Sequence, residues 1–161
     1  MKIFILRHGN AMSMTSGHTD KHRCLSEKGF QQLHQVSKWM QQHQYRPELI
    51  LSSPYKRCRQ TAETIQQDLS LGKKSCERIP IEYEDCLIYG SDPMQTLKLI
   101  MSLEVESVLL CSHMPLVSEL AHMFAPGAMT TGFRTAELVK IRYDLESQHG
   151  VVVANVASNE L

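Results

Sequence analysis

Three short stretches of the chain place cations and imidazoles directly after apolar runs. Residues 2–6, KIFIL, continue into Arg7, His8 and Gly9. ELILSS (48–53) runs into Pro54 and then Arg57, and SVLLCSH (107–113) ends on Ser112 and His113. An imidazole is substantially neutral near pH 7, so His8 can act as a nucleophile. Arg7 beside it is a fixed cation whose planar donor fork suits phosphate oxygens. Arg57 falls near the start of a helix, where backbone N–H groups also favour anions. His113 precedes another helix start and can add a hydrogen bond. Two arginines, two imidazoles and two helix N-termini suit a compact dianion. Phosphate makes the fullest use of these donors; carboxylate or sulfate would use them less fully.

Such groups converge only if the fold brings the ends of those runs together. Apolar runs alternate with helical patterns along the chain. Strands are expected at 2–6, 48–53, 79–84, 107–113, 135–143 and 150–156, the last two as a hairpin across LESQH. Phe30, Leu33, Val36 and Met40 define a helix with Ser26 as its N-cap. Ser53-Pro54 reads as the N-cap and first turn of a second helix, with Tyr55, Cys58, Ala62, Ile65 and Leu69 as its apolar stripe. A third helix begins at Ser91 or Asp92 with Pro93 in its first turn, and a fourth, PLVSELAHMF, stops at Pro126-Gly127. Strands alternating with helices imply a layered α/β fold with a mostly parallel central sheet. In such sheets ligands bind outside the carboxyl ends of the strands, which is where Arg7-His8, Ser53-Pro54 and Ser112-His113 fall.

Composition sets the bounds. The 161 residues fit one domain spanning 1–161. Lys+Arg 17 balances Asp+Glu 17, so nucleic acid and anionic membrane are not expected as bulk partners. No apolar run approaches about 20 residues and the N-terminal one is too short for a signal peptide, so a cytoplasmic location is expected. The five cysteines are odd in number and lack a C-x-x-C pair, the pattern of free thiols in a reducing compartment. His18 and His22 frame a polar stretch with no distant thiol or carboxylate partner and are read as a solvated loop, not a metal clip.

R-H-G near the N-terminus, L-S-x-x-G (25–29), S-P-x-x-R-x-x-Q-T and S-H-x-P-L-V occur in this order along the whole chain. Together they resemble the histidine phosphatase superfamily, and within it the short SixA-type phosphohistidine phosphatases. The resemblance implies a three-layer, phosphoglycerate mutase-like fold with little or no cap insertion. It implies a single histidine-phosphatase catalytic domain, in the bacterial cytoplasm, in signal transduction. His8 would form a phosphohistidine intermediate while Arg7, Arg57 and His113 grip the phosphoryl oxygens. The S-P-x-x-R spacing chooses Arg57 over Arg59, because two residues on a helix are roughly 200° apart and only one can face the pocket. Thr61, one turn on, should share that face. Asn10 and Met114 are expected to line the pocket, and Arg23 to touch substrate.

Neighbouring cations should depress the His8 pKa, and a main-chain carbonyl near Gly9 should hold its other ring nitrogen. No metal or other cofactor is called for, since the arginines supply positive charge. The candidate general acids, Glu84 and Asp85, match the family pattern poorly. An imidazole leaving group can depart protonated and tolerates a poor acid. With the short stretch between Arg57 and His113, which suggests an open site, this favours a monomeric enzyme acting on a phosphohistidine of a histidine-phosphotransfer or phosphocarrier protein. A small-molecule phosphomonoesterase or mutase of the same superfamily, and a non-catalytic phosphoprotein-binding module, are the alternatives.

Overall fold

A computed structural model describes residues 1–14, 19–71, 78–127 and 132–158. Six strands form one sheet: β1 (Lys2–Arg7), β2 (Leu49–Ser52), β3 (Ile81–Tyr83), β4 (Ser107–Ser112), β5 (Leu138–Asp144) and β6 (His149–Val156). Their order is β3-β2-β4-β1-β5-β6. The four strands from β3 to β1 are parallel; β5 and β6 close one edge antiparallel.

Alternate residues of each central strand serve opposite faces, as the pleat requires. Ile3, Ile5, Val108 and Leu110 pack beneath α3 (Pro93–Met101) and α4 (Leu116–Phe124) with Ile100, Leu120 and Phe124. Phe4, Leu6, Ile50 and Leu109 pack against α1 (Glu27–Gln42) and α2 (Lys56–Leu69) with Leu33, Met40 and Ile65. Two helical layers thus enclose the sheet, the three-layer fold expected. With both faces covered, β1, β2 and β4 read as continuous apolar runs.

Local signals fix most helix starts. Ser26 accepts from the Gly29 N–H at 3.1 Å and caps α1. Asp92 accepts from the Met94 N–H, with Pro93 opening α3. The start of α2 differs from expectation. Its N-cap is Tyr55, with no side-chain cap bond, and Ser53-Pro54 lie before the helix. Ser53 Oγ accepts from the Tyr55 N–H but also bonds His113, so it ties the strand end to the site. Cys24, Cys58, Cys86 and Cys111 are free thiols; Cys76, His18 and Met129 lie outside the described residues. No helix among the described residues is long and apolar enough to cross a membrane.

Candidate active site

The carboxyl ends of β1, β2 and β4 open onto a depression of about 510 Å³. Arg7, His8, Arg57 and His113 all line it, joined by Asp20, Arg23, Tyr55, Tyr89 and Met114.

His8 follows β1 and is 5 % exposed. The Arg57 Nε–H donates to His8 Nε2 at 3.1 Å. Because a guanidinium only donates, Nε2 must carry the lone pair and Nδ1 the proton. Nδ1–H accordingly donates to the Gly9 carbonyl at 2.8 Å, the partner expected from the sequence. Burial, more than any neighbour, depresses the His8 pKa to about 4; Arg57, Arg7 and Arg23 push the same way. The direction is the one expected, but desolvation and not charge is its main cause. His113 is depressed as well, again chiefly by burial. Both imidazoles are therefore neutral at pH 7.

The backbone around His8 is clamped on two sides. Its N–H donates to Ser112 and its carbonyl accepts from Ala136, while the Arg7 N–H donates to Glu137. Arg7 Nη1 donates to the Phe133 carbonyl at 2.6 Å. Arg7 Nε and Arg23 Nε are buried donors with no partner among the described residues, a costly state that an oxyanion would relieve. Arg57, at the start of α2, is held at all three donor groups: by His8 through Nε, by the Asp20 carbonyl through Nη1 at 2.8 Å, and by the Asp20 carboxylate through Nη2 at 2.9 Å. The His113 ring lies 5.3 Å from that of His8, and its Nε2 shares a 2.8 Å hydrogen bond with Ser53 Oγ. Tyr55 packs edge-on against it, with ring centroids 5.1 Å apart.

Arg23 and Met114 line the depression; Asn10 and Thr61 do not. The Asn10 N–H donates to Gln32 and its Oδ1 accepts from Ser26 Oγ at 2.7 Å, tying the His8 loop to the cap of α1. Thr61 is fully buried behind the site, accepting from the Gly9 N–H and donating to the Arg57 carbonyl. Both are positioning residues: polar side chains near a pocket also serve to hold its backbone. Glu84 and Asp85 follow β3, but neither lines the depression. Arg59 points elsewhere, its guanidinium 4.5 Å from the centre of the Tyr83 ring and near Glu63. The sequence reading missed Asp20, Tyr55 and Tyr89 as pocket residues. The pairing of Asp20 with Arg23, three positions on, was the available signal.

The family model of the histidine phosphatase superfamily (branch 1) matches residues 3–87. The chain belongs to this superfamily. It is 31% identical over 150 residues to phosphohistidine phosphatase SixA of Escherichia coli, covering 93% of this chain and 89% of that protein. It is 30% identical over 151 residues to a phosphohistidine phosphatase SixA homolog of Haemophilus influenzae, covering 89% of each. A solved structure of the protein histidine phosphatase SixA complexed with tungstate superposes with a TM-score of 0.86 at 27% identity, covering 99% of each chain. These superfamily relatives match nearly the whole chain, including the part beyond residue 87.

Proposed function

We propose that this chain is a phosphohistidine phosphatase acting as one catalytic domain, with His8 Nε2 as the atom that takes the phosphoryl group. The observation that carries the reading is the state of His8. It is buried, neutral, oriented through Nδ1 by Gly9, and has its lone pair beside Arg57 in a pocket of three guanidiniums.

Phosphoryl transfer asks mainly for in-line placement and for charge to stabilise the equatorial oxygens. When a phosphoryl group enters, Arg57 exchanges its bond to Nε2 for one to a phosphoryl oxygen, and the lone pair is released toward phosphorus. Arg7 and His113 hold the remaining oxygens. The Nδ1–H bond to Gly9 stabilises the positive charge that develops on the ring. The P–N bond to the departing imidazole breaks, and water then attacks the phosphorylated His8 from the opposite side. Glu84 and Asp85 lie outside the pocket, and the one carboxylate among the described residues that line it, Asp20, is paired with Arg57 and Arg23. A phosphohistidine needs no acid to protonate its leaving group. The substrate is therefore a phosphohistidine on a partner protein, of the histidine-phosphotransfer or phosphocarrier kind, and the enzyme works as a cytoplasmic monomer.

The test is rapid quench with a ³²P-labelled phosphohistidine protein. Label should appear on the enzyme in an acid-labile, base-stable bond and be absent from His8→Ala. Turnover by His8→Ala at the wild-type rate would overturn the mechanism. Faster turnover of sugar phosphates than of the phosphoprotein would favour a small-molecule phosphatase instead.

A further inference from the structure

Asp20 is the only acidic side chain among the described residues lining the pocket. A carboxylate is an unexpected tenant of a site for a dianion, since it repels the cargo. Its inner side is paired: Oδ2 accepts from Arg57 Nη2 at 2.9 Å, and Oδ1 lies 3.3 Å from Arg23 Nη2. Its outer side is open, the side chain being 43% exposed against 4% for that of Arg57. Nor is the carboxylate the sole anchor of Arg57, because the Asp20 main-chain carbonyl and His8 hold the same guanidinium. What the side chain adds is a negative charge at the mouth, where the group bearing the phosphoryl must lie.

We infer that Asp20 selects substrates by the charge of their leaving group, favouring a protonated phosphoimidazole and rejecting phosphate esters that carry a second anion. The inference rests on the phosphohistidine reading and deepens it. In the reactive substrate the proton sits on the ring nitrogen not bonded to phosphorus, so the leaving group enters as a cation. As the bond from His8 Nε2 to phosphorus forms and the P–N bond breaks, that bond's electron pair returns to the departing nitrogen. The ring leaves as neutral imidazole, and the enzyme supplies no proton. A carboxylate at the mouth favours the protonated form through Coulomb attraction. The same charge opposes the carboxylate of a phosphoglycerate, so specificity comes from a repulsive element as well as an attractive one.

The test uses Asp20→Asn, which keeps the main-chain carbonyl and an oxygen able to accept from Arg57. Two ratios are measured. One is the inhibition constant of 3-phosphoglycerate over that of inorganic phosphate, with p-nitrophenyl phosphate as the reporter substrate. The other is kcat/KM for phosphoimidazole over kcat/KM for p-nitrophenyl phosphate. Asp20→Asn should lower each ratio about tenfold, the size expected of one charge acting over several ångströms near a protein surface. Arg23→Gln, which leaves Asp20 less neutralised, should raise the first ratio. Unchanged ratios in both variants, or equal losses on every substrate, would show that Asp20 only holds Arg57 and would overturn the inference. Failure of the wild-type enzyme on a phosphohistidine protein would instead sink the parent reading, and the inhibition ratio would still decide the role of Asp20.

Discussion

The two halves of the sheet divide the labour. Strands β3, β2, β4 and β1 run parallel, and each ends on a residue or leads into a connection that lines the pocket, β3 through Tyr89. The β5–β6 hairpin runs antiparallel, and its outer strand leaves Val151 and Val153 52% and 43% exposed. No residue of the hairpin lines the pocket. Yet the segment leading into β5 grips the site from behind, through Phe133 on Arg7, Ala136 on His8 and Glu137 on the Arg7 N–H. Parallel strands present their carboxyl ends on one rim, so reactive groups distant in sequence converge there without long loops. The antiparallel edge has no such rim and serves as a brace.

The largest test of this division is a pair of arginine substitutions. Arg57→Ala should lower kcat/KM about 10³-fold, the upper range for one preorganised donor. Arg142→Ala, on an exposed position of β5, should leave it unchanged. A comparable loss in both would erase the distinction between rim and brace. The next contrast concerns stability. Leu110→Ala in β4, fully buried, should cost about 3 kcal/mol in urea unfolding. Val151→Thr on β6 should stay within about 0.5 kcal/mol.

The smallest effect is tied to pH. The folded protein resists protonating His8 until about pH 4, whereas an unfolded histidine takes its proton near its ordinary value of 6.5. The unfolded state therefore binds more protons across this window. The stability due to the neutral, buried ring is intact above pH 6.5 and is lost as pH falls toward 4, by on the order of 2 kcal/mol once pH has dropped to about 5. His113 acts in the same direction. His8→Gln should flatten the pH dependence of unfolding between pH 4 and 6.5. An equally steep profile in that variant would shift the effect away from the rim.

What was legible in the sequence was local or periodic. The alternation of Ile3 and Ile5 with Phe4 and Leu6 became the two faces of β1, and Ser26 and Asp92 cap the helices they precede. Motif order marked the strand ends that meet around the pocket. What escaped depends on distant partners. Nothing adjacent to Ser53 shows that its hydroxyl will serve His113, 60 residues away, and not a helix start. Asn10 and Thr61 have side chains suited to a ligand, but those groups are used by Ser26, Gly9 and Arg57. Glu84 and Asp85 stood out as carboxylates at a strand end, while Asp20, in a polar stretch without periodicity, is drawn in by Arg57, 37 residues on.

The bond from Arg57 to His8 also determines what the idle enzyme ignores. An imidazole whose only basic electron pair is already engaged is a sluggish target for stray alkylating or acylating reagents. In the proposed mechanism a visitor rich in oxygen charge lures the guanidinium aside, so the cargo itself arms the ring that would carry it.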